Sequence, residues 1–336
     1  MAEAFLTTNE SEKVTTPPSD SVRRVRVRHR RDIAPDIIEL ELESLDGSAL
    51  PPWEPGAHID IRLGDDLIRQ YSLVPSRDPA GTWQVAILVE EGGRGGSLMI
   101  ARDLHPGEAV DVSGPRNHFP FDDGVAECLF IGGGIGITPL IAMARSAQGR
   151  GIPWRLAYLG RSRSTMAYVA ELERDFGAHV EVYAADEGRR FDVEDSVRNL
   201  SPSTHVYCCG PDRLMEAVEQ AMSEPDLVPR VHLEHFHPRT IAEGMNHEFT
   251  VYAAASGVEF VVPVDESVLM AADFEGVVVP GDCLEGTCGS CETRVLVGEI
   301  DHRDSILTPL QRLDSQTMMI CVSRARPGCS RIELDL

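Results

Sequence analysis

The sequence predicts a multidomain chain of three units in series: an antiparallel β-barrel, an α/β unit with a parallel sheet, and a smaller α+β unit. Three observations predict it. Short alternating strands separated by Gly and Pro turns run to about residue 121. From residue 127 the pattern changes to buried strands alternating with helices. Near the C-terminus Cys283, Cys288 and Cys291 are spaced Cys-x4-Cys-x2-Cys, and Cys321 follows after a gap of 29 residues. At 336 residues the chain is also too long for one ordinary core.

Taken in order, residues 1–20 are polar, include Thr15-Thr16-Pro17-Pro18-Ser19-Asp20, and read as a disordered tail. Residues 21–121 alternate: Val25 and Val27 against Arg24, Arg26 and Arg28, then Ile38, Leu40 and Leu42 against Glu39, Glu41 and Glu43. Pro51-Pro52, Pro55-Gly56, Gly64 and Pro79-Ala80-Gly81 mark turns between strands. The arginine run 23–31 reads as a solvated strand face. Residues 122–224 hold strands at 127–131, 154–159, 179–184 and 205–209, with helices at 139–147, around 165–175 and at 213–222. Residues 225–246 contain Pro225, Pro229, Pro238 and Gly244 and read as a linker. A third unit, 247–336, opens with Glu248-Phe249-Thr250-Val251-Tyr252, and no internal repeats occur.

Net charge is −23, with one lysine, Lys13, and 30 arginines, so nucleic acid is excluded as an expected partner. The segment 247–336 carries 15 acidic and six basic residues. That is a solvated acidic surface, or a docking face for a basic patch on an electron acceptor. No run of 18 apolar residues occurs, so no membrane helix is expected. The start, Met1-Ala2-Glu3-Ala4-Phe5-Leu6, lacks the features of a signal peptide. A cytoplasmic monomer is expected, with Cys128, Cys208, Cys209 and Cys329 mostly buried reduced thiols.

The cysteine spacing is that of plant-type 2Fe-2S ferredoxins. Such a cluster needs four thiolates converging on one small cage. Gly286 and Gly289 let the loop wrap closely and aim backbone N–H groups at sulfur. Zinc is the rival metal, but structural zinc favours paired CxxC knuckles and only one CxxC is present here. A one-electron carrier follows.

Ile131-Gly132-Gly133-Gly134-Ile135-Gly136-Ile137-Thr138-Pro139 lies between a strand and a helix, where backbone N–H groups receive a pyrophosphate. The GxGxxG fingerprint fails, because the third position is Ile137. Arg69-Gln70-Tyr71-Ser72 offers a guanidinium fork for phosphate and an aromatic face for a ring system. Gly92 to Ser97 opens a helix and supplies further N–H donors.

Arg69-x-Tyr71-Ser72, Gly93-Arg94-Gly95-Gly96-Ser97, Arg116-Asn117-x-Phe119-Pro120, the 131–139 loop, Cys209-Gly210-Pro211 and the cysteine pattern occur in that order. With them, the whole of 21–336 resembles the phthalate dioxygenase reductase family, within the ferredoxin–NADP reductase-like superfamily. The resemblance implies an antiparallel β-barrel flavin domain, an α/β parallel-sheet nucleotide domain and an α+β β-grasp ferredoxin domain. It implies electron flow from NADH through FMN and a 2Fe-2S cluster to a terminal oxygenase.

Carried over by position, Arg69, Tyr71, Ser72, Ala86, Ile87, Leu88, Arg94, Gly96 and Ser97 hold FMN, with Arg69 and Arg94 on its phosphate. Thr138 approaches both ligands, Cys209 of Cys209-Gly210-Pro211 faces the nicotinamide, and Phe236 covers the flavin ring. Ser72, Cys209 and Phe236 are the residues nearest the chemistry. Gly133, Gly134 and Gly136 take the pyrophosphate of NADH, and Gly160-Arg161-Ser162 and Asp186 take the adenosine end. Arg161 and Arg163 could instead clamp a 2′-phosphate. Two positions depart from the family: Leu88 stands where some members are basic, and His235 where Arg or Ser is expected.

Hydride transfer moves two electrons and a 2Fe-2S cluster accepts one, so a flavin that can hold either number is required between them. The acceptor is expected to be a Rieske oxygenase or aromatic O-demethylase, with a haem-thiolate monooxygenase as the alternative. Two other readings are a partner-independent NAD(P)H flavin oxidoreductase and a non-enzymatic ferredoxin with degenerate nucleotide domains. The intact Arg-x-Tyr-Ser and Cys-Gly-Pro segments count against the last.

Overall fold

The computed structural model describes residues 22–64, 67–76, 81–93, 95–224, 226–238 and 246–336. The expected disordered tail and Arg94 lie outside them. Six strands close an antiparallel barrel: β1 (Arg23–Ala34), β2 (Ile37–Ser44), β3 (His58–Arg62), β4 (Ile68–Val74), β5 (Thr82–Leu88) and β6 (Ala109–Arg116). Their order is β1-β2-β5-β4-β3-β6, so β1 and β6 seal the wall and no edge is left open. Alternation does the work: Val25, Val27, Leu40, Leu42, Ile59 and Ile61 are fully buried inside. The arginine run is more than a solvated face. Arg26 and Arg31 pair across the strands with Glu43 and Glu39, which fixes register at small energetic gain per pair. Helix α1 (Gly96–Asp103) bridges β5 and β6.

The second unit runs β7 (Glu127–Gly133), α2 (Ile137–Arg150), β8 (Trp154–Gly160), α3 (Val169–Phe176), β9 (Val180–Ala184), α4 (Val193–Arg198), β10 (Thr204–Cys209), α5 (Asp212–Ala221) and β11 (Val231–Glu234). All strands are parallel in the order β11-β10-β7-β8-β9. The chain moves outward on one side of β7 and then returns on the other, which opens a crevice beyond the carboxyl ends of β7 and β10.

One expectation is corrected here. The stretch 225–246, read as a linker, contains β11, which pairs with β10 from Val206↔Val231 to Cys209↔Glu234. Prolines on either side disguise a four-residue strand whose ladder needs only the neighbouring edge.

The third unit holds β12 (Phe249–Ala253), β13 (Val258–Val262), α6 (Val268–Phe274), β14 (Glu292–Val297), β15 (Ile300–Asp301), α7 (Pro309–Asp314), β16 (Thr317–Met319), β17 (Arg324–Ala325) and β18 (Arg331–Leu334). Its mixed sheet, β13-β12-β18-β14-β16, is packed by α6 in a β-grasp, with β12 and β18 parallel. Among the described residues no helix is long and apolar enough to cross a membrane.

The cores are not divided one per unit. Ile37, Val74, Ala86 and Phe119 of the barrel side pack into the same cluster as Phe130, Leu140 and Tyr207 of the parallel sheet. The third unit has its own core around Phe249, Val251, Met318 and Ile332. Phe130 is fully buried, with ring centroids of Phe121, Trp154 and Tyr207 at 6.0, 6.0 and 5.7 Å. Phe130→Ala should cost about 3–5 kcal/mol. Flavin release and loss of the parallel sheet should then shift to lower temperature together, while bleaching of cluster absorbance should not move. A melt followed at both signals checks it.

Candidate functional site

The four cysteines converge. Three lie on the loop between α6 and β14, and Cys321 follows β16. Leu284, Gly286 and Gly289 adopt left-handed φ values of 59°, 71° and 76°, which is how so short a loop closes. At Gly286 a Cβ would lie 2.6 Å from Val322, so the loop touches the segment carrying Cys321. The Glu285 and Thr287 N–H groups donate to Cys283 Sγ, both at 3.4 Å, and Ser290 Oγ lies 3.1 Å from Cys288 Sγ.

Cys288 and Cys321 beside it hold the Cys283 thiol toward thiolate, and Cys321 does the same for Cys291. Cys288 and Cys321 are raised in return by Cys283. A four-thiol cage with N–H donors aimed at sulfur fits a 2Fe-2S cluster, which displaces those protons on binding.

A second site stands at the barrel end. Arg69 on β4 donates from Nη1 to the Ile68 carbonyl at 2.8 Å, while its buried Nη2 has no partner. Its side chain runs past Gly96, where a Cβ would come within 2.7 Å of Cγ and Nε. An unsatisfied guanidinium N–H beside the N-terminus of α1 is a cradle for a phosphate. Ser97 Oγ accepts from the Glu90 N–H at 3.1 Å, so its hydroxyl braces the loop. Tyr71 sits half-buried against the barrel core, and burial raises its phenol well above the usual range.

Ala86 and Ile87 bury their side chains, and Leu88 reaches the nucleotide cavity. Because β4 pairs with β5 only as far as Val85, what the next residues offer a ring on that side is backbone. Ser72 faces a small cavity of about 110 Å³ that also meets Glu234, Phe236, Cys283 and Cys288.

The third site is the crevice at the switch point, a cavity of about 1100 Å³. Gly133, Gly134 and Gly136 line it, as do Gly160, Arg161, Gly210 and Pro211. Close approach explains two glycines: a Cβ on Gly136 would lie 2.3 Å from the Cys209 carbonyl, and one on Gly133 2.7 Å from Pro211.

Four expected residues stand off its wall. Thr138 turns its hydroxyl back to the Ile135 carbonyl at 3.0 Å and fixes the turn. Cys209 is fully buried because β10 is an interior strand, and burial raises its thiol far above the usual range. Ser162 bonds Ser164 and Thr165 instead, and Asp186 meets Arg161 through backbone. Arg163 is held by Glu173 at 2.7 Å and Glu187 at 3.0 Å.

Sequence reasoning missed several residues. Arg189, stacked 4.9 Å over Tyr183, and Arg190 line the outer part of the nucleotide cavity. Glu234 is half-buried at the end of β11, with Oε2 buried and unpartnered, and desolvation pushes its carboxyl up to about 8. It alternates with the buried Val231 and Leu233, and the reading of 225–246 as a linker hid it. Phe236, 37 % exposed, lines both cavities.

Comparison with known proteins agrees with this arrangement. Residues 24–121 match the oxidoreductase FAD-binding domain, and 251–326 the 2Fe-2S iron-sulfur cluster binding domain. The phthalate dioxygenase reductase of Burkholderia cepacia is 36 % identical over 96 % of this chain and all of its own length. This chain belongs to the phthalate dioxygenase reductase family.

The vanillate O-demethylase oxidoreductase of Pseudomonas sp. strain HR199 is also 36 % identical, over 90 % of this chain and 97 % of its own. A solved phthalate dioxygenase reductase, described as modular for electron transfer from pyridine nucleotides to 2Fe-2S, aligns with a TM-score of 0.66 at 35 % identity. It is covered whole and covers 96 % of this chain. An intact type IV self-sufficient cytochrome P450 monooxygenase aligns at 0.84 and 40 % identity over 94 % of this chain, which spans 41 % of that longer protein. As a family member the chain is an oxidoreductase that passes electrons through a flavin and a 2Fe-2S cluster as the reductase component of an oxygenase system.

Arg69→Ala should remove a charge-assisted contact worth about 1.5–3 kcal/mol and weaken flavin binding about ten- to hundredfold. Fluorescence titration of flavin into flavin-free protein checks it, with the cluster spectrum unchanged.

Proposed function

We propose that the donor is NADH, that the flavin is FMN, and that the acceptor is a Rieske-type or aromatic-demethylating oxygenase. The observation that carries the reading is Phe236, which stands in the wall of both the nucleotide cavity and the cavity joining Ser72 to Cys283 and Cys288. Three redox groups therefore meet at one seam. When bound, the flavin takes up electrons in pairs and releases them singly, which suits a one-electron cluster.

The chain's own residues then divide the tasks. Arg69, with Arg94, holds the FMN phosphate at the start of α1, and Tyr71, Ser72 and the backbone of 86–88 hold the ring. Gly133, Gly134, Gly136, Gly210 and Pro211 give the pyrophosphate close access to backbone N–H groups. Cys209 shapes this floor from behind, through its carbonyl against Gly136. Cys283, Cys288, Cys291 and Cys321 ligate the cluster. The working units are 21–121, 122 to the end of β11, and 247–336. The place of work is the cytoplasm, as a monomer, in keeping with eight free cysteines.

Occupation of Arg163 by two carboxylates supports NADH over NADPH. A kcat/KM for NADH above that for NADPH, and a released flavin with the mass of FMN, are the expected results; FAD or an NADPH preference would refute them. A second reading, transfer to a haem-thiolate monooxygenase, is favoured by one observation: the TM-score of 0.84 to the self-sufficient P450 against 0.66 to the phthalate enzyme. Product formed per NADH with each oxygenase class separates the two.

Cys291→Ala removes one of four ligands, and the third unit's separate core leaves the rest folded. The variant should lose cluster absorbance and its reduced-state paramagnetic signal, keep FMN, and reduce a two-electron dye with NADH at near wild-type rate. Delivery to cytochrome c should fall at least about tenfold, roughly 1.4 kcal/mol of barrier. Unchanged delivery would mean that electrons leave directly from flavin.

A further inference from the structure

The segment Arg116-Asn117-His118-Phe119, whose motif the cofactor sites leave without a role, is where the barrel meets the cluster loop. Arg116 ends β6 with its side chain 13 % exposed. Its Nη1 donates to Asp60 Oδ2 at 2.7 Å, and Asp60 is 1 % exposed on β3. Asp60 is further held by Gln70 Nε2 at 3.2 Å and Ser113 Oγ at 3.3 Å, so the barrel half of the contact is rigid.

The other half reaches across. Arg116 Nη2 lies 3.8 Å from Asp282 Oδ2, on the residue before cluster ligand Cys283. Asp282 is itself fixed in the loop, its N–H donating to Ser290 Oγ at 2.9 Å. Next to this ion contact the His118 ring abuts the loop: a Cβ on Gly289 would lie 2.8 Å from His118 Cε1. Asn117 clips the segment, donating to the Pro55 carbonyl at 3.1 Å and accepting from the Phe119 N–H at 3.1 Å.

We infer that Arg116 is a positioning residue that latches the cluster loop to the flavin barrel and thereby sets the rate at which an electron crosses from flavin to cluster. The inference rests on the flavin-to-cluster route proposed above. The step moves one electron and breaks or forms no bond, so its rate depends on how the two redox groups are placed and not on an acid or base at Arg116. A guanidinium suits the task, because its fork can hydrogen-bond a barrel carboxylate from one nitrogen and keep a loop carboxylate in ion contact with the other. The small cavity beside it, shared by Ser72, His118, Cys283 and Cys288, is the gap that the latch keeps constant.

The test uses the full chain with both cofactors and three variants, Arg116→Gln, Arg116→Lys and Asp282→Asn. In stopped flow, reduction of the flavin by NADH should keep its wild-type rate, while reduction of the cluster should fall at least about tenfold in Arg116→Gln. Arg116→Lys should recover part of the loss, and Asp282→Asn should fall in between with its cluster spectrum intact. Hydrogen–deuterium exchange supplies the readout independent of turnover: uptake should rise in 280–291 and stay unchanged in β2 and β5.

Wild-type cluster reduction in Arg116→Gln and Asp282→Asn would overturn the inference. So would exchange rising throughout the barrel together with loss of flavin, which would make Arg116 a fold-stabilising residue only. If Arg116→Gln does not fold, Asp282→Asn decides alone, since it leaves the Arg116–Asp60 pair in place; unchanged transfer there overturns the latch. A wild-type chain whose cluster stays oxidised under NADH would instead refute the electron route itself, before any variant is compared.

Discussion

Phe236 stands in the wall between two cavities, and the placement of that one aromatic ring constrains the rest of the molecule. A nicotinamide must stack on the flavin ring and a cluster must lie near it, yet they are held by three different folds. The residue that separates two of the spaces cannot come from a mobile tether. It follows directly on β11, whose ladder with β10 fixes the chain up to Glu234, two residues before Phe236. A fifth parallel strand is thus required by the site as much as by the sheet. The shared core of barrel and parallel sheet has the same consequence, since a hinge between those units would move the pyrophosphate floor relative to the phosphate cradle.

Much of this was legible in the residues, and the pattern of what was not is physical. The gathering of the cysteines could be read because it is local: loop spacing and two left-handed glycines determine where three of the four sulfurs go. The barrel and the parallel sheet could be read because side-chain period reports burial directly. At the backbone sites, two of the side chains that the resemblance singles out stand off the crevice wall. Thr138 and Cys209 are near the crevice, but the packing of α2 and of an interior strand turns their side chains inward. What they contribute is a turn and a carbonyl against Gly136.

Other residues were hidden because their partners are distant. Glu234 looks like an outward carboxylate on a short strand, and it is half-buried beside a cavity lined by residues of the barrel and of the third unit. Asp60 and His118 lie 58 residues apart in the chain, on β3 and just past β6, and only the pairing of those strands brings them near. The strand β11 is short and flanked by prolines, so its existence depends on the free edge of β10 and not on its own propensity.

The contact between barrel and cluster loop differs in kind from the contact between barrel and parallel sheet. The latter is apolar and continuous with a core, so area and packing hold it. The former is built from Arg116, Asp60, Asp282, Gln70 and two histidines, with the third unit's apolar core kept to itself. A buried ion pair is a poor source of stability, because desolvation offsets most of the Coulomb attraction. Its merit is geometric: a guanidinium set between two carboxylates has one satisfactory arrangement. Electron transfer depends on how the two groups are separated and oriented, and not on how much the contact stabilises the fold. A polar seam at the flavin–cluster gap and an apolar seam at the nucleotide side therefore suit the two demands, orientation in one place and cohesion in the other.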